Sequence, residues 1–123
     1  MRILARAAVL VALLAASPVP GAYVQSGSDV RVVSYNIKHG RGNDNIVDLE
    51  RTAGVLRAFG PDVIGLQEVD DRATRSGGVP QAEHLGRMLD MHHAFGPFMD
   101  FQDGAYGMAI LSRVVSGATL MAM

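Results

Sequence analysis

The sequence predicts an α/β fold built on a mixed sheet. Two observations carry that reading. A strand–helix–strand pattern runs from Val30 to Gln67, with the length of a right-handed crossover between two parallel strands. Further on, two strand-like runs flank a short turn at Asp103-Gly104 and read as an antiparallel pair.

Taken in order, Tyr23 to Asp29 is polar and rich in glycine and serine, a linker into the domain. Val30 to Asn36 is the first strand, with β-branched residues favouring strand over helix. Val30, Val32 and Ser34 fall on one face, Arg31, Val33 and Tyr35 on the other. Lys38 to Asn45 is a loop in which Gly40 and Gly42 permit a sharp turn or a close approach to a ligand. Asn45 or Asp48 then caps a helix whose apolar face is Leu49, Ala53, Leu56 and Phe59, with Glu50, Arg51 and Arg57 outside. Gly60-Pro61 stops it. Val63 to Gln67 is the second strand, and its Val63, Ile64 and Leu66 suit burial, which leaves Glu68 at the strand's exit. Asp70 to Gly78 reads as a charged loop. A second helix follows, with Ala82, Leu85, Met88 and Leu89 inward and Glu83, His84 and Arg87 outward. His92–Met99 and Tyr106–Leu111 form the hairpin.

The chain has 123 residues, 49% hydrophobic and 19% charged, an ordinary globular composition for one small domain. It has no cysteine, which excludes disulfides, a thiolate zinc site and a cysteine nucleophile. Residues 1–22 read as an export signal. A basic start at Arg2 and Arg6 precedes an apolar run from Ala7 to Ala16, too short to span a bilayer, and Ser17 to Ala22 supplies helix breakers and small residues for cleavage after Gly21 or Ala22. The alternative is an uncut N-terminal anchor. Cleavage places the mature domain in a secreted or periplasmic setting, with no transmembrane segment left. It also removes two of 11 basic residues, so 9 face 12 acidic ones and the net charge is near −3. That disfavours tight binding to a nucleic-acid backbone and leaves a small phosphate ester open. Val114 to Met123 carries no charge and is an uncertain tail.

If the first two strands are parallel neighbours, Asn36 and Glu68 emerge on the same edge, with backbones roughly 5 Å apart. The carboxyl edge of parallel strands is where open α/β folds place their chemistry. A carboxylate there suits a hard cation such as Mg²⁺, and Asn36 could orient a water, bind phosphate or coordinate the metal. Spacing alone leaves the plainer uses open: Glu68 as a cap or ion-pair partner of Arg72 or Arg75, and Asn36 as a brace for the turn at Lys38. Arg72 and Arg75 can meet phosphate oxygens through paired N–H donors, or can simply be solvated. Asp70 and Asp71 read as an acidic surface turn, with metal acceptors as the sharper alternative. His39, His84, His92 and His93 share no ligand spacing, and only His39 lies near the proposed edge.

Three blocks together resemble the endonuclease/exonuclease/phosphatase superfamily, which includes DNase I-like nucleases, sphingomyelinase-like phosphodiesterases and inositol polyphosphate phosphatases. They are Val33-Ser34-Tyr35-Asn36-Ile37, Asp62-Val63-Ile64-Gly65-Leu66-Gln67-Glu68-Val69 and Tyr106-Gly107-Met108-Ala109-Ile110-Leu111-Ser112-Arg113. The resemblance covers about Val30 to Arg113. It implies a DNase I-like four-layer α/β sandwich of two mixed sheets, of which residues 30–113 form the N-terminal part. It also implies phosphoester hydrolysis assisted by Mg²⁺ or Mn²⁺. Glu68 matches the metal-binding glutamate, and Asn36 the asparagine beside metal and phosphate. The expected substrate is a small phosphoester or a lipid headgroup rather than nucleic acid. Two departures stand out. Met108 occupies a position where family members commonly carry asparagine. The later Gly-Asp-x-Asn and Ser-Asp-His blocks, which prepare the attacking water, do not occur in this sequence. The expectation is therefore a truncated hydrolase, inactive alone, with one sheet face uncovered. The alternative is a non-catalytic exported half-domain that binds a partner or completes another chain's sheet.

Overall fold

The computed structural model describes residues 29–113. The leader at 1–22, nearly all of the linker and the tail at 114–123 lie outside the described residues. Four strands, β1 (Val32–Asn36), β2 (Val63–Asp71), β3 (His92–Phe101) and β4 (Gly104–Ser112), form one sheet in the order β1-β2-β4-β3. β1 and β2 are parallel, and the other two pairings are antiparallel. The mixed sheet follows from its connections. The β1–β2 link contains helix α1 (Leu49–Ala58) and must cross over, whereas β3 and β4 are joined by a two-residue turn.

The α/β expectation holds, and both helices pack on the same face of the sheet. α1 opens on Asp48, whose side chain accepts from the Arg51 amide at 2.9 Å. It ends before Gly60, which adopts φ +57° as the residue past a helix end. Ala53 and Leu56 of α1 join Ala82, Leu85 and Leu89 of α2 (Gln81–Leu89) against Ile64, Leu66, Val69, Ala109 and Leu111 of the sheet. Burying each large aliphatic of this layer contributes roughly 1.5–3 kcal/mol. Phe59 departs from the expected helix face: it lies one residue past α1 and is 47% exposed.

The other face of the sheet has no layer among the described residues. Strand alternation carries Val33 and Tyr35 to the core and leaves Val32 and Ser34 exposed, as the first-strand pattern predicts. On the same open face Met108 is 40% and Ile110 46% exposed.

The hairpin turn differs from expectation by one residue. Phe101 pairs with Gly104, so Gln102 (φ +46°) and Asp103 (φ +65°) are the turn residues rather than Asp103-Gly104. Tertiary anchoring outweighs turn preference here. The Gln102 carbonyl accepts from the Thr74 amide at 2.9 Å, and its side chain accepts from the Arg75 amide at 2.9 Å. Gly104 serves a different need: a Cβ there would lie 2.2 Å from the Asp71 carbonyl oxygen.

Candidate functional site

The site is built by an irregularity in β2. Apolar residues stand at 64, 66 and then 69, a break in the two-residue strand period. The sheet accommodates it with a bulge. Leu66 pairs with Ala109 and Val69 with Gly107, so Gln67 and Glu68 together face only Met108. Glu68 takes the left-handed conformation, φ +55°, and Val69 is thereby returned to the core. β2 then continues to Asp71 because β4 runs alongside it. Glu68 is therefore within β2, not at its exit as the sequence suggested. On the β1 side it does lie past the last paired residue, since that pairing ends at Asn36 with Gln67.

Asn36 and Glu68 meet. Asn36 Nδ2 donates to Glu68 Oε1 at 2.8 Å, while Asn36 Oδ1 accepts from the Lys38 amide at 2.9 Å. The amide thus braces the turn and orients the carboxylate at once. No salt bridge involves Glu68 among the described residues. A half-buried carboxylate held by one neutral donor keeps acceptor capacity for a cation. A hard divalent ion takes one or two carboxylates and fills its shell with water and substrate oxygens, so the Glu68–Asn36 oxygens fit Mg²⁺ or Mn²⁺. Glu68 would be the primary ligand, and Asn36 Oδ1 has a second lone pair for the same purpose. Among the described residues no group of three or more His, Cys, Asp or Glu side chains gathers to hold a metal.

The arginine pair separates. Arg75 is committed to Asp70 by two hydrogen bonds, Nε to Oδ2 at 2.9 Å and Nη2 to Oδ1 at 2.8 Å. Its guanidinium also lies 4.4 Å from the Phe101 ring centroid and 5.5 Å from that of Tyr106. A phosphate at Arg75 must compete with all of these. The Arg72 side chain, 62% exposed, reaches only its neighbour Asp71 among the described residues.

Asp70 corrects the sequence reading in both its forms. It is neither an acidic surface turn nor an acceptor at the site edge, but a fully buried carboxylate. The bulge puts Val69 on the core face and Asp70 on the opposite face beside Tyr106, and there Arg75 and Ser76 close over the carboxylate. Ser76 Oγ donates to Asp70 Oδ2 at 2.8 Å, and the Asp70 amide donates to Gln81 Oε1 at 3.0 Å. Gln81 Nε2 in turn donates to the His39 carbonyl at 2.8 Å. Burial pushes the Asp70 carboxyl up, but the Arg75 and Ser76 hydrogen bonds outweigh it and hold the group below its usual range. His39 titrates below its usual value, through burial first and the Arg75 charge second. Its Nδ1 is buried without a hydrogen-bond partner among the described residues. Sequence reasoning missed the roles of Gln81 and Ser76. The broken apolar period at 64, 66 and 69 was the signal for the bulge, and a glutamine on the inner side of α2 was the signal for the link.

The sequence profile of the Endonuclease/Exonuclease/phosphatase family matches residues 33–115. The chain belongs to this family. A crystal structure of an endonuclease/exonuclease/phosphatase from Beutenbergia cavernae DSM 12333 is similar, with 27% identity and a TM-score of 0.54 over 68% of this chain. That match spans 26% of the Beutenbergia protein. The comparison with curated proteins returns no match. Membership in the family agrees with the three motif blocks, and Asn36 and Glu68 stand at the ends of the first two.

Proposed function

We propose that the chain is the metal-binding portion of an exported phosphoester hydrolase. The observation that carries this is the 2.8 Å hydrogen bond from Asn36 Nδ2 to Glu68 Oε1 at the end of the parallel pair. Family membership supports the reaction class, and the basic-then-apolar leader at residues 1–22 supports export to a secreted or periplasmic setting. A divalent ion, Mg²⁺ or Mn²⁺, would supply charge stabilisation for the phosphoryl oxygens. Glu68 holds that ion. Asn36 fixes the Glu68 rotamer, and its own position is fixed by the Lys38 amide. Arg72 is the freer of the two arginines to meet an anionic substrate. The mature net charge near −3 favours a small phosphoester or a lipid headgroup over nucleic acid.

Water activation needs a general base, and the Gly-Asp-x-Asn and Ser-Asp-His blocks that the family resemblance assigns to that task do not occur in residues 1–123. Residues 1–123 by themselves are therefore inactive or nearly so. An assay of the purified chain on a p-nitrophenyl phosphodiester and the matching monoester tests both statements. At most trace turnover is expected, and it requires Mg²⁺ and Glu68. Turnover independent of either overturns the metal-hydrolase reading; robust turnover overturns the statement that the chain is inactive alone. The exposed apolar face around Met108 and Ile110 favours a second reading, a non-catalytic half-domain that completes another chain's sheet.

A further inference from the structure

Next to Glu68 lies a cleft of about 370 Å³, lined by Lys38, His39, Arg41, Asn45 and Glu68 with the backbone of Gly42 and Asn43. Its charge is unusual for so acidic a chain. Lys38 and Arg41 contribute two cations and Glu68 the one anion. The side chain of Lys38 is exposed and enters no salt bridge among the described residues. Arg41 is held by an amide, not a carboxylate: its Nε donates to Asn45 Oδ1 at 3.0 Å, and its Nη2 donates to the same oxygen. That contact fixes the guanidinium while leaving its charge unneutralised.

The backbone points to the same place. Among the described residues eight non-glycine residues adopt positive φ, and four of them line this cleft: Lys38 (+47°), His39 (+46°), Asn45 (+64°) and Glu68 (+55°). Side-chain residues in the left-handed region cost free energy, and such strain concentrates where function fixes an orientation. Here two adjacent strained residues, Lys38 and His39, both face the cleft. The fold elsewhere secures them, through the Asn36 Oδ1 bond to the Lys38 amide and the Gln81 bond to the His39 carbonyl.

We propose that this cleft is an anion subsite that holds a second phosphoryl group of the substrate, with Lys38 and Arg41 as its recognition residues. This rests on the proposed function and narrows it to small phosphoesters carrying a second phosphate. Glu68, with the cation it holds, marks the reacting end, and Lys38 and Arg41 mark the far end. A single strand of nucleic acid also offers phosphates in series, but the acidic balance of the chain outside this cleft gives it no extended basic track.

The test is a titration of the 123-residue chain with inorganic pyrophosphate in the absence of metal, followed by backbone amide shifts. Shifts confined to residues 38–45 and Glu68 are expected. Lys38→Ala, an exposed change, is expected to weaken binding by about tenfold, the worth of one charge-assisted contact, and Lys38→Arg to restore most of it. Glu68→Gln is expected to bind pyrophosphate at least as well as the wild type, since it removes the one anion from the cleft. A separate Mg²⁺ titration of Asn36 and Glu68 reports on the metal reading, so failure of one is distinguishable from failure of the other. Pyrophosphate binding that Lys38→Ala leaves unchanged, or shifts that fall mainly outside residues 38–45 and Glu68, overturns the subsite. An oligonucleotide of a few residues binding more tightly than pyrophosphate overturns the small-molecule assignment.

Discussion

Glu68 and Asp70 are two carboxylates on one strand, two residues apart, and the sheet treats them in opposite ways. Glu68 is half-buried, accepts one hydrogen bond from a neutral amide and enters no salt bridge among the described residues. Asp70 is fully buried, accepts two hydrogen bonds from Arg75 and one from Ser76. In a regular strand, residues 68 and 70 would share a face. Their partners separate them: Arg75 and Ser76 close over Asp70, whereas Glu68 meets the Asn36 amide. One acid is left with capacity for a ligand, and the other is consumed in holding the loop from Arg72 to Gly78 to the strand. An acidic residue near a family motif is thus not a site residue on proximity alone; the number of its partners decides.

Removing Arg75 should give the largest effect. Arg75→Ala leaves Asp70 buried and uncompensated, which costs about 3–5 kcal/mol of stability. Urea unfolding would register it as a lowered midpoint. If Arg75→Ala instead unfolds like the wild type, the contrast between the two acids is wrong at its buried end.

A smaller effect comes from pH. Asp70 is held below its ordinary value of 3.8, so its contribution is complete above that value and is lost as pH falls through the lower native value. His39 is held below 6.5, so the unfolded chain takes up its proton first and stability begins to fall as pH drops below 6.5. Unfolding midpoints measured from pH 8 to 3 should therefore fall in two stages. His39→Asn, which tolerates the left-handed backbone, should remove the upper stage and leave the lower. A single acid transition in the wild type contradicts this assignment.

Much of this was legible in the sequence because the signals were local or periodic. The crossover helix and its Gly60 stop follow from side-chain spacing and backbone preference, the cap narrows to Asn45 or Asp48, of which Asp48 serves, and parallel pairing then brings Asn36 to Glu68. What was not legible depends on partners distant in the chain. β2 extends past Glu68 because β4 continues beside it. Asp70 is buried because Arg75 and Ser76 satisfy its carboxylate and Gln81 its amide. The Gln102-Asp103 turn is selected by contacts to Thr74 and Arg75 rather than by its own propensities. The motif resemblance points to Glu68, and the bulge explains how that residue is presented.

Glu68→Gln should have the smallest effect on stability, within about 0.5 kcal/mol, because it breaks no charged pair. It should have the largest effect on metal. The most direct test of the account is a Mg²⁺ titration of the wild-type chain and Glu68→Gln, read from the amide resonances of Asn36 and Glu68 beside an unfolding curve for each. Saturable shifts in the wild type, lost in Glu68→Gln with an unchanged unfolding midpoint, are the predicted result. Mg²⁺ binding that persists in Glu68→Gln, or a loss of stability matching that of Arg75→Ala, would contradict it.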